Sequence, residues 1–125
     1  MDVQKQIDYW VASAEEDFAA AHSLFDKGHL RHALFFAHLA LEKMLKAHVT
    51  QKTAKVPPRT HNLLRLAELA GLVLEPVREV FLRGFGVYQL EGRYPDSAQV
   101  SLDLETARGE LSGAWEMLEW FKTQL

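Results

Sequence analysis

The chain has 125 residues, enough for one domain, and 48% of them are hydrophobic, a share that allows it to bury a core. Its formal net charge of −3 argues against a protein that coats nucleic acid with its whole surface, although a local basic patch is compatible with that charge. The lack of cysteine excludes disulfides and thiolate chemistry. The sequence has no signal peptide and no apolar run long enough to span a membrane, so we expect a cytoplasmic protein without membrane contact.

The first half of the chain has the apolar periodicity of two long helices. Apolar residues at spacings of three and four predict a first helix over about residues 3–25. Gly28 ends it, because glycine readily takes the left-handed conformation found at helix C-termini. A second helix is predicted over about 30–51.

The second helix carries two apolar surfaces. Besides its main apolar face it has a patch formed by Phe35, Phe36 and Leu39. Such a helix either lies at the centre of a bundle or meets another subunit. Because large exposed apolar patches are rare on monomers, we expect a homodimer.

Paired prolines interrupt the pattern, and three further helices follow. Thr60 is predicted to cap a short third helix that ends at Gly71, Pro76 fits the first turn of a fourth, and Ser101 is predicted to cap the last. The inner faces of the last two are predicted to be Val77, Val80, Phe81, Phe85 and Tyr88, and Leu104, Ala107, Leu111, Ala114, Trp115, Leu118 and Phe121. The sequence therefore predicts an all-α fold, an antiparallel up-down four-helix bundle with one short additional helix, as a single domain over 1–125.

The common signatures of catalysis and cofactor binding are missing from the sequence. There is no phosphate-binding loop of the Walker type and no His-Glu-x-x-His zinc motif. The "GFG" at 84–86 lacks both the third glycine and the preceding strand of a dinucleotide fingerprint. We therefore expect neither a metal site nor a cofactor.

Charge is segregated along the chain. The segment 43–59 contains five cations and no acidic residue, whereas 103–119 contains five acidic residues and a single arginine. One or two cations at the end of a helix are explained by the helix dipole, but five exceed that need. The basic segment is a candidate for phosphate contact. Its cations are Lys43, Lys46, Lys52, Lys55 and Arg59.

Three polar residues share one face of the second helix. Arg31, His38 and Glu42 fall within about 40° of each other at 100° per residue. Such a set is able to perform acid–base chemistry on a phosphodiester, or it is simply the polar border of an amphipathic helix.

Several motifs together resemble the HEPN-domain family. "LRHALFFAHLALEKMLKAHV" is similar to the second helix of HEPN domains, "HNLLRLAELAGL" to the start of their third, and "VYQLEGRYPD" to the Arg-Tyr-Pro-Asp element before their last helix. The resemblance implies a four-helix bundle, commonly a homodimer. It also implies nucleotide or RNA contact, or pairing with a minimal nucleotidyltransferase (MNT) in a toxin–antitoxin-like module.

The resemblance also assigns candidate site residues. Some HEPN proteins are metal-independent ribonucleases with an Arg-x4–6-His motif at the dimer interface, and the literal match here is Arg31 with His38. We expect a binding and interaction protein, with a homodimeric endoribonuclease using Arg31 and His38 as the alternative. Arg93 is expected to pair either with a phosphate or with the internal carboxylate of Glu42. The ligand-binding candidates are Glu42, Lys43, Lys46, His61, Arg93, Tyr94 and Asp96.

Overall fold

A computed structural model of the chain describes residues 1–93 and 102–125, without the side chains of residues 91–93. These ranges contain no strand, and their helices are α1 (Val3–Asp26), α2 (Leu30–Thr53), α3 (Leu63–Leu69), α4 (Pro76–Phe85), α5 (Val87–Arg93) and α6 (Leu104–Thr123). The expected all-α class is confirmed, whereas the antiparallel order of a four-helix bundle stays a prediction. None of these described helices is both long and apolar enough to cross a bilayer.

Two of the expected helix starts are wrong. Asn62 caps α3, since its side chain accepts a hydrogen bond from the backbone N–H of Arg65, while Thr60 lies two residues earlier. Asp103 caps α6 by accepting from the backbone N–H of Thr106, which also lowers the pKa of the Asp103 carboxyl. The predicted cap Ser101 lies outside the described residues and two positions before Asp103. Asparagine and aspartate cap helices at least as well as threonine and serine do, so residue preference alone does not separate these candidates.

Helix α2 lies at the centre of the fold and contacts α1, α3, α5 and α6. Its C-terminal half is buried on nearly every side, as expected of a helix surrounded by others. The patch of Phe35, Phe36 and Leu39 is partly buried, and Phe36 packs against the core. A central position therefore accounts for much of the second apolar surface without a second subunit.

The apolar face predicted for the fourth helix is partly wrong. Val77 and Val80 are 79% and 64% exposed, whereas Phe85 is buried as predicted. Arg78 takes the inward position of the first turn, with its guanidinium 3.9 Å from the centroid of the Trp120 ring. The Arg78 side chain therefore faces the core at the first turn of α4, where the apolar pattern predicts a valine.

The other predicted faces agree with the structure except at a few positions. The predicted fourth helix is divided at Gly86 into α4 and α5, and Tyr88 at the start of α5 is buried. In α6 the predicted stripe is buried apart from Leu104 and Trp115, which are about half exposed. The core therefore forms from α2 and the inner faces of its neighbours, and α4 meets α6 where Arg78 lies over Trp120 and Phe81 lies beside Gly113.

Two glycines of α6 provide a test of the α4–α6 contact. A Cβ atom added at Gly113 would lie 2.7 Å from Cε2 of Phe81, whereas one added at Gly109 meets nothing within 4 Å. We expect Gly109→Ala to stabilise the protein by up to about 1 kcal/mol through helix propensity. We expect Gly113→Ala to be less stable than Gly109→Ala by about 1–3 kcal/mol, because the Phe81 ring must move. If chemical denaturation gives the two variants the same increase in unfolding free energy, α4 does not pack closely on α6.

A buried histidine joins α2 to the end of α6. The Nε2 atom of His48 lies 2.7 Å from the carbonyl oxygen of Phe121. Because a carbonyl only accepts, Nε2 carries the proton and donates it. Burial lowers the pKa of His48, and the smaller opposing effect of the Phe121 hydrogen bond raises it.

This lowered pKa predicts a loss of stability in acid. The unfolded chain binds a proton at His48 near the ordinary value of about 6.5, whereas the folded chain resists protonation until a lower pH. The free energy of unfolding should therefore fall as the pH drops below about 6.5. His48→Gln keeps an N–H donor but does not titrate, so its stability should fall less over that range. Parallel losses of stability in denaturant titrations of the two proteins would contradict the assignment.

Candidate functional site

A row of polar side chains lies within the buried part of α2. His38, Glu42, Lys46 and Thr50 are all buried and are spaced by four residues, so they lie one above another on the helix. Buried polar groups are costly unless they are hydrogen-bonded or paired. Thr50 meets this need locally, by donating from Oγ1 to the carbonyl of Lys46 at 2.9 Å.

Glu42 is the centre of this row. Its side chain is only 4% exposed, and Nζ of Lys46 lies 3.1 Å from Oε2. Nδ1 of His61 lies 2.9 Å from Oε1, and Nδ1 of His38 is 3.9 Å from the same oxygen. Lys46 in turn lies over the Trp10 ring of α1, 5.6 Å from its centroid. The cluster therefore connects α1, α2 and the segment before α3.

His61 is the exposed member of the cluster. It comes immediately before Asn62, the residue that caps α3, and its side chain is 42% exposed. Since Nδ1 points at the buried carboxylate of Glu42, Nε2 lies on the opposite side of the ring. His61 also lines the groove described next, so the cluster reaches the surface through this side chain.

A groove of about 610 Å³ lies between the start of α3 and the α4–α5 segment. None of the lining residues that the structure describes has a carboxylate, whereas each of four other clefts in the same part of the chain is lined by at least one. An anion is therefore repelled less in this groove than in the others. It is lined by His61, Asn62, Leu63, Leu64, Leu82, Arg83, Gly84, Gly86, Val87, Gln89 and Leu90.

Lys43, another ligand-binding candidate, lies on a different side of α2. Its Nζ is 2.8 Å from Oδ2 of Asp17 and donates a hydrogen bond of 2.8 Å to Oγ of Ser13, both on α1. Lys43 and Lys46 are therefore held by internal partners. The phosphate contact predicted for the basic segment is left to its exposed members, Lys52, Lys55 and Arg59.

The Arg-Tyr-Pro-Asp element falls outside what the structure describes. Arg93 is the last residue of α5, but its side chain lies outside the described residues, as do Tyr94 and Asp96. The expected pairing of Arg93 with Glu42 therefore stays a prediction. Among the described side chains, Glu42 contacts Lys46 and His61 instead.

The alternative catalytic pair is only partly accessible. His38 is buried and its ring lies nearly parallel to that of Phe85, with the centroids 6.2 Å apart. A general base needs to reach its substrate, so this burial argues against the ribonuclease role of Arg31 and His38. The described residues also contain no cluster of three or more histidine or acidic side chains that could hold a metal ion.

Sequence reasoning missed the far side of the groove. Arg83 lies on α4 with Glu79 one turn before it, and this spacing is typical of a pair that merely stabilises a helix. In the sequence, Gly84 and Gly86 resemble only an incomplete dinucleotide motif. Their actual neighbour is the groove, where Gly84 leaves open space beside the backbone.

Comparison with known proteins agrees with this architecture. A family model of the HEPN domain matches residues 7–124. The chain belongs to the HEPN family. This HEPN chain is similar to TT1696 from Thermus thermophilus, whose crystal structure aligns with a TM-score of 0.82 and 22% identity, covering 96% of this chain and 98% of that one. It is also similar to ST0689, an archaeal HEPN homologue, with a TM-score of 0.72 and 22% identity, covering 94% and 96%. No curated protein matches the chain significantly.

The HEPN membership confirms the family resemblance seen in the sequence, and the two solved structures show a shared fold at low identity. They assign no role to individual residues. The roles of Glu42, Lys46 and His61 therefore depend on the geometry of this chain.

The buried charges of the cluster predict a large response to mutation. Glu42→Gln removes the charge that balances Lys46 and should cost about 3 kcal/mol of unfolding free energy, because the ammonium is left unpaired in a buried position. The double variant Glu42→Gln/Lys46→Met removes both charges and should recover most of that loss. Both values are measured by urea denaturation. A single variant as stable as the natural protein would contradict the buried pair.

Proposed function

We propose that this HEPN protein is a binding and interaction module, formed by a single domain, whose groove beside His61 takes a nucleotide or a single-stranded segment of RNA. The observation that carries the proposal is a groove whose walls include Arg83 and His61 and, among the residues that the structure describes, no carboxylate. Anionic ligands bind where the local field is positive or neutral, even on a protein of net negative charge.

Arg83 is the group best suited to a phosphate. Its side chain is 63% exposed, and Nη2 lies 2.8 Å from Oε1 of Glu79. Exposed pairs of this kind contribute little to stability, so Arg83 exchanges its partner at small cost. Guanidinium groups bind phosphate oxygens with two parallel hydrogen bonds. The leucine and valine side chains of the same groove offer an apolar surface for a base.

Glu42 and Lys46 support this proposal indirectly. The family resemblance makes both of them candidates for ligand contact, but they are buried, and Glu42 holds His61 while Lys46 holds Glu42. The basic residues Lys52, Lys55 and Arg59 are exposed and would extend the contact to neighbouring phosphates of a longer strand.

We also propose a homodimer and an MNT-type nucleotidyltransferase as the protein partners, in a toxin–antitoxin-like module. The family resemblance supports both partners. The exposed Val77 and Val80 of α4 add an apolar surface suited to a protein contact. A purified protein that stays a monomer at high concentration would count against the dimer.

A matched pair of arginines tests the groove. We expect Arg83→Ala to weaken binding of a labelled single-stranded RNA about tenfold, through loss of one charge-assisted contact. Arg65 is the control, since it is 53% exposed and pairs with Glu68 on α3 in the same manner, but it does not line the groove. Arg65→Ala should change the affinity less than about twofold. If fluorescence anisotropy shows that both variants lose the same affinity for RNA, the RNA does not bind in the groove.

A further inference from the structure

The hydrogen bond between His61 and Glu42 determines what His61 can offer to a ligand. A carboxylate oxygen accepts hydrogen bonds, so the 2.9 Å contact with Oε1 requires that Nδ1 of His61 carries the proton. In the neutral ring, the other nitrogen then has a lone pair and no proton. Because the His61 side chain is 42% exposed and Nδ1 is held by the buried carboxylate, Nε2 is the ring nitrogen left to meet a ligand, as a hydrogen-bond acceptor.

Because Lys46 balances the charge of Glu42, a neutral His61 ring is sufficient to pair with this carboxylate. The Lys46 ammonium lies 3.1 Å from Oε2. A second positive charge on His61 is not needed to satisfy the buried carboxylate. The neutral N–H of His61 completes the hydrogen bonding of Oε1 without adding a charge.

An acceptor in this position selects a ligand group that donates. A phosphate oxygen only accepts, so it does not pair with Nε2 of a neutral His61 and is better placed at Arg83 on the other side of the groove. A ribose hydroxyl donates, and the 2′-hydroxyl is the group that distinguishes RNA from DNA. We propose that His61 Nε2 accepts a hydrogen bond from the ribose 2′-hydroxyl, so that the groove selects ribonucleotides over deoxyribonucleotides.

This inference rests on the proposed nucleotide-binding function and adds a ligand class to it. Glu42 acts as a positioning residue, since it holds the proton on Nδ1 without touching the ligand. His61 is the residue that contacts the ribose, and Arg83 is the residue that contacts the phosphate. The shared chemistry is a ribose with a phosphate attached, in a free nucleotide or in a strand.

The test compares ligands that differ only at the 2′ position. Fluorescence anisotropy is used for oligo(rU) and oligo(dU) of about eight nucleotides, and calorimetry for UMP and dUMP, all near pH 8. We expect the ribose form to bind about tenfold more tightly, as for one net hydrogen bond. Preference in the strands but not in the free nucleotides would assign the site to RNA, and preference in both would include nucleotides.

Variants assign the preference to particular atoms. His61→Ala should reduce the ribose-to-deoxyribose ratio to within about twofold, because the acceptor is removed. His32→Ala is the control, an exposed histidine in the first turn of α2, and it should keep the full ratio. The Glu42→Gln/Lys46→Met protein should also lose the preference, since an amide accepts or donates and no longer fixes the proton on Nδ1. Cooperative unfolding of this variant in urea is the control that separates such a loss from misfolding.

The possible failures are distinguishable. If neither form of either ligand binds, both the proposed function and this inference are overturned. If ribose and deoxyribose forms bind equally well to the natural protein, the inference fails and the nucleotide-binding function stands. If the ribose preference persists in His61→Ala, the selecting group is not His61 and the inference is again overturned.

Discussion

A carboxylate buried in a helical core has to be paired, and in this HEPN protein that requirement determines the positions of several helices at once. Glu42 lies on α2, where it meets Lys46 from the next turn and His61 from the segment before α3. Lys46 also lies against Trp10 of α1. Satisfying one buried charge therefore joins three parts of the chain, and removal of that charge would leave Lys46 and His61 without this partner.

The same requirement separates support from contact in the proposed site. Glu42 and Lys46 are buried, so they hold the site in place, whereas His61 and Arg83 face the groove and are available to a ligand. A side chain that is oriented by a buried partner loses little freedom on binding, which favours affinity. Arg83 differs, since it is exposed and must leave Glu79 to bind. Selectivity is accordingly expected from His61, and electrostatic attraction from Arg83.

Much of the fold follows from the sequence because long amphipathic helices leave a repeated signal. The bounds of α1 and α2 lie within about two residues of those predicted from periodicity. Which side chains face inward at single positions is harder to predict. Arg78 takes an inward position because its guanidinium lies over Trp120, and a pattern of hydrophobic residues does not reveal such a contact. Of the site, the resemblance supplied Glu42 and His61. Arg83 was missed because an exposed arginine beside a glutamate has the same sequence pattern whether or not a groove lies next to it.

The most direct test of this account is nitrogen-15 NMR of the His61 ring, recorded near pH 8 with and without UMP. We expect a proton on Nδ1 in the free protein, held by Glu42, and a change in the Nε2 resonance when the ribonucleotide is added. We expect a smaller change with dUMP. A proton on Nε2 in the free protein, or an Nε2 resonance that is unchanged at saturating UMP, would contradict this account.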